Sequence, residues 1–151
     1  MRRVFLLLLG IALLFPFNLF AAQGVSLFIS PASISFSGGN PDCMPLIPSR
    51  KELNISLRVW GNDEGSWELT LLSQGDLQGG GAVIPISNIS FVPSLSPPFM
   101  RGSLSRHAPQ VIGGGRGDID VNFDLRLFLK NSWDYAAGNY SQRITFTLSA
   151  P

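Results

Sequence analysis

The chain has 151 residues, enough for one ordinary domain. Charged residues make up 14% and hydrophobic ones 45%, with 16 Gly and 11 Pro, which excludes a disordered tail and a helical bundle. Lys and Arg total 11 against 10 Asp and Glu, a balance from which no basic funnel for nucleic acid can be built.

The first residues read as an export signal. Arg2 and Arg3 give a positive start, Val4 to Phe15 is an apolar run broken only by Gly10, and Pro16 ends any helix. Small residues follow at Ala21, Ala22 and Gly24. This is the layout of a secretory signal peptide, expected to span residues 1–24 with cleavage between Ala21 and Val25. The run is shorter than the ~20 apolar residues that cross a bilayer, so no membrane anchor is expected after cleavage. Loss of Arg2 and Arg3 leaves the remainder, residues 25–151, near a net charge of about −1.

Cys43 is the single cysteine, so no intramolecular disulfide can form and the domain must rest on its core. That fits an exported bacterial surface protein better than a disulfide-stapled growth factor or toxin. Cys43 lies in Pro41-Asp42-Cys43-Met44-Pro45; an intermolecular bridge is open to it, and an incidental thiol is the simpler account.

From Val25 onward the pattern is one of short strands between turn residues. Val25 to Ile29 and Ile34 to Phe36 are expected strands, with a kink at Ser30-Pro31. Gly38 to Arg50 reads as a loop. Leu53, Ile55, Leu57 and Val59 then alternate with Asn54, Ser56 and Arg58, the mark of a half-buried strand. Gly61 to Gly65 is expected to close a hairpin onto a strand carrying Trp67, Leu69 and Leu71.

Gly79-Gly80-Gly81 marks a turn before Val83 to Ile86 and Ile89 to Val92, and Pro93 to Gly102 reads as a further loop. A short strand at Val111-Ile112 is expected to stop at Gly113-Gly114-Gly115. Ile119, Val121, Phe123, Leu125 and Leu127 form the longest alternation, and Ile144, Phe146 and Leu148 the last. About seven or eight strands and no capped helix predict an all-β fold, an antiparallel immunoglobulin-like β-sandwich.

Candidate chemistry is sparse. Asp118, Asp120, Asn122 and Asp124 superficially match a calcium loop, but Phe123 and Leu129 stand where that loop needs Gly and Glu. They read instead as the solvent face of a strand, opposite Arg58 or Arg143. Arg116-Gly117-Asp118 is an integrin-type tripeptide whose glycine has an ordinary turn role. His107 is the only histidine and reads as a solvated loop residue; no nucleophile elbow, HExxH, P-loop or dinucleotide fingerprint accompanies it. Asn54, Asn88 and Asn139 open formal glycosylation sequons, which matter only in a eukaryotic secretory pathway. No catalytic residue, no metal site and no cofactor is expected.

Two stretches carry a family resemblance. Trp67-Glu68-Leu69 is followed by a Gly-rich turn and the apolar Val83 to Phe91 stretch, and the chain closes on Tyr140-Ser141-Gln142-Arg143-Ile144-Thr145-Phe146-Thr147-Leu148 and Pro151. Together these resemble the WxL domain, a surface-attachment module of Gram-positive bacteria. The chain departs from it at Phe146, where the family has Trp, and similar endings occur in pilin-like spore coat U domains. The resemblance implies non-covalent attachment to peptidoglycan or to other cell-surface proteins, with Trp67, Leu69, Tyr140, Phe146 and Leu148 as the residues to examine for binding. From the residues alone, Trp67 and Leu69 share one strand face and Phe146 and Leu148 another, so core packing is the preferred role for these four. The expectation is thus a secreted, non-enzymatic cell-wall domain. The alternative is a pilin-like or spore-coat-type subunit that assembles through edge strands, with Val25 to Phe36 as a donor segment interrupted by Pro31.

Overall fold

A computed structural model describes residues 23–136 and 138–151. Most of the expected signal peptide, residues 1–22, lies outside the described residues. Eleven strands form in chain order. They are β1 (Gly24–Ser30), β2 (Leu46–Pro48), β3 (Leu53–Trp60), β4 (Ser66–Ser73), β5 (Leu77–Gly79) and β6 (Ala82–Ile84). After one 3-10 turn at Ile86–Asn88 come β7 (Ile89–Pro93), β8 (Gly102–Ser103), β9 (Gln110–Arg116), β10 (Ile119–Lys130) and β11 (Ile144–Ser149). The fold is an all-β, antiparallel sandwich.

One sheet runs β1-β3-β10-β7-β8, with β2 also paired to β10; the facing sheet runs β11-β4-β9. Strand β10 is the hub. Its first half pairs with β3 and its second half with β2 and β7, which is why it needs the longest alternation in the chain. Every second side chain of β3 and of the end of β10 is buried: Leu53, Ile55, Leu57 and Val59 lie beside Phe123, Leu125 and Leu127 on one inner face of the larger sheet. Leu69 and Leu71 of β4 close it from the other sheet. Each such side chain stabilises the fold by roughly 1.5–3 kcal/mol relative to exposure, and one continuous core gathers them.

Several local expectations are corrected. Gly61–Gly65 does not close a hairpin: β3 has both edges taken by β1 and β10, so the chain turns a corner and β4 starts the other sheet. The corner turns on Gly61 at φ 68° and on buried Asn62, whose amide N–H donates to Asp118 at 2.8 Å. Ile34 and Phe36 pack against the core without forming a strand; the backbone there is held by Arg50 N–H donating to Ser35 O at 2.8 Å. The Gly38 to Arg50 loop contains β2, whose Ile47 is buried.

Gly113-Gly114-Gly115 does not end a strand but lies within β9. A Cβ on Gly115 would sit 3.0 Å from the Trp67 indole nitrogen, and one on Gly113 would enter the Phe99 ring. The glycines let β9 pass close under two large rings. In the Pro93 to Gly102 loop, Phe99 is fully buried and stacks on Phe123 with centroids 3.9 Å apart, while Trp67 lies 6.1 Å away. A loop residue thus joins the two sheets through an aromatic row.

A candidate interaction flank

The two strands that carry the family-like motifs are neighbours. Strand β11 pairs with β4 so that Leu148 lies opposite Leu69 and Phe146 opposite Leu71. Trp67 and Leu69 are 3% and 0% exposed, so their surfaces are taken up by core contacts. Phe146, Leu148 and Tyr140 are half-buried and pack against that core from its margin, and the Tyr140 hydroxyl donates to Ala136 O at 2.7 Å. The structure therefore brings the five residues to one sheet, two inside and three along its outer strand and the loop before it.

That outer strand and β1 border the same flank of the sandwich. β1 ends the larger sheet, β11 ends the smaller one, and the two strands lie beside each other. The flank is tied at one end by Gln23, whose amide donates to Asn62 Oδ1 at 3.2 Å and to Pro151 O at 3.5 Å. Leu27 and Ile29 point inward from β1, and Ile144, Phe146 and Leu148 from β11; all five stay half-buried, because neither sheet has a further strand to cover them.

The edges themselves are unguarded. β1 reads Gly-Val-Ser-Leu-Phe-Ile-Ser and β11 Ile-Thr-Phe-Thr-Leu-Ser, with neither charge nor proline. Among the described residues, no backbone hydrogen bond is made along the outer edge of either strand. The opposite flank is different: the loop before β8 caps β9, with a bridge between Phe99 and Gly113 and Met100 N–H donating to Ile112 O at 2.6 Å. Proteins ordinarily blunt an exposed edge with lysine, proline, a bulge or a covering loop. This fold does so on one flank and not on the other.

The outer face of the larger sheet is polar with two exposed aromatic rings. Phe28 is 63% exposed, and Trp60 lies over Gly24 with the Arg58 guanidinium 5.6 Å from its ring. Arg58 also reaches Asp120 at 3.5 Å, and Asn54 donates to Asp124 at 3.0 Å, so the β10 acids are a strand face paired across to β3. Asp118 accepts from Asn62, and Gly117 turns at φ 74° with its N–H on Gly65 O, which ties the Arg116-Gly117-Asp118 turn to the sheet corner.

His107 sits at an open depression of about 660 Å³ with Gln74, Asp76, Gln78, Val83 and Arg106. Arg106 bridges to Asp76 at 2.8 Å and donates from Nε to His107 Nε2 at 3.2 Å. Asp76 also accepts Ile86 N–H at 3.0 Å, so its carboxylate is engaged in holding two loops together. Cys43 is exposed in the loop that Trp133 Nε1 and Asn131 pin down through Asp42 Oδ1 and Met44 O. Among the described residues no cluster of three His, Cys, Asp or Glu side chains is placed to hold a metal ion. Nor is any helix there long and apolar enough to cross a membrane. The unguarded β11 edge was missed as a site by sequence reasoning, although the absence of charge in both edge segments was a signal for it. No family model, curated protein or solved structure matches the chain.

Proposed function

We propose that this chain is an exported structural module of the cell surface, which works by joining other macromolecules through the β1–β11 flank and not by turning over a substrate. One observation carries the reading: two uncharged strand edges border a single flank, with half-buried apolar side chains between them. An edge of that kind gains main-chain hydrogen bonds and apolar cover from any strand laid along it. The assembly reading fits this geometry better than sugar contact by Trp67 or Leu69, whose side chains are enclosed.

Attachment to peptidoglycan is the second reading, and a different surface favours it. Phe28 and Trp60 stand exposed on a sheet face lined with Asn54, Ser56 and Asp120, which suits stacking and hydrogen bonding to a glycan. Retention of the processed chain on insoluble peptidoglycan separates the two readings. Edge joining predicts that Trp60→Ala leaves co-fractionation with the cell surface unchanged, whereas lysines on β1 and β11 release the protein. Release by Trp60→Ala alone would transfer the function to the glycan reading.

A further inference from the structure

We infer that the β1 edge is completed by β1 of a second copy of this chain, running antiparallel about a two-fold axis at Leu27. The inference rests on the edge-joining reading above and names its partner. It follows from the strand's own pattern, Gly24-Val25-Ser26-Leu27-Phe28-Ile29-Ser30. On either side of Leu27, β-branched Val25 and Ile29 stand at equal distance, and small Gly24 and Ser30 occupy the two ends. A segment with that symmetry is complementary to itself when it is reversed.

The pairing satisfies both faces. Val25 of one copy meets Ile29 of the other, and Leu27 meets Leu27, so the apolar row of β1 continues across the axis and covers Val25, which is exposed in the single chain. On the outer face Ser26 meets Phe28 of the second copy, which covers a ring that is now 63% exposed. At the ends, Gly24 meets Ser30. A small partner is what this position needs, because the Trp60 ring already occupies the space above Gly24. No charged residue enters the contact, and a chain near neutrality offers little long-range repulsion to it. The two larger sheets become one continuous sheet, and a closed two-fold pair leaves each β11 edge for other partners.

The test is sedimentation equilibrium of the processed chain over a concentration series, for wild type, for Ser26→Lys with Phe28→Lys, and for Thr145→Lys with Thr147→Lys. All four positions point outward, and circular dichroism verifies that each variant keeps its fold. The expected result is a reversible wild-type dimer that the β1 variant weakens by roughly tenfold or more and that the β11 variant leaves intact. The two introduced ammonium groups of one copy face those of the other across the axis, and like charges directly opposite repel. On a Cys43→Ser background, Ser26→Cys mixed with Phe28→Cys is expected to cross-link faster than either variant alone. A dimer that dissociates only in the β11 variant overturns the β1 pairing and keeps edge joining. A wild-type chain that stays monomeric, and whose release from the cell surface needs no edge change, overturns both.

Discussion

Trp67 shows how a residue's burial decides what its mutation can report. Its indole lies over Gly115 and beside Phe99, and Trp67→Ala would leave a cavity between the sheets. Urea unfolding is expected to show a loss of about 3–5 kcal/mol, against less than about 1 kcal/mol for the exposed Trp60→Ala. Loss of surface retention in Trp67→Ala would therefore report unfolding. Tyr135 supplies a second case. Burial raises its pKa above 10.0, the amide of Asn88 that donates to its hydroxyl lowers it, and Asp134 raises it again. The folded chain holds this proton more tightly than the unfolded one. Stability from it is thus complete below a pH of about 10 and is lost as pH rises through the higher folded value. Alkaline denaturation of Tyr135→Phe is expected to have a shallower pH slope there than wild type.

At the scale of the element, β9 is the informative strand. Gly113→Ala would drive a methyl group into the Phe99 ring, and thermal unfolding is expected to show a loss of about 1–3 kcal/mol from overpacking. Glycine usually weakens a strand, which is why the glycine run reads as its end; the rings packed above it reverse that inference. Strands with strict alternation, β3 and β10, were legible because one face turns to the core along their length. The Gly61–Gly65 corner was not. A hairpin and an inter-sheet turn share the same local glycines, and only the occupied edges of β3 separate them. Phe99 was illegible for a related reason: a lone aromatic among Pro97, Pro98 and Met100 has no periodicity to announce its burial. At the candidate flank, the inward residues of β1 and β11 could be read from alternation. Their nearness could not, because it depends on which strand ends each sheet.

For the whole molecule, the distribution of guarded and unguarded edges says more about function than any single side chain does. One flank is capped by the Phe99 loop, and the other exposes two uncharged strands with apolar residues between them. A sandwich built this way is stable by its own core and still has main-chain hydrogen bonds to give. The most direct measurement is amide hydrogen exchange on the processed chain, free and assembled on the cell surface. Slowed exchange concentrated in β1 and β11, with the outer face of β3 and β10 unchanged, is the predicted result. Protection confined to β3 and β10, with β1 and β11 amides exchanging as fast as in the free chain, would contradict the account.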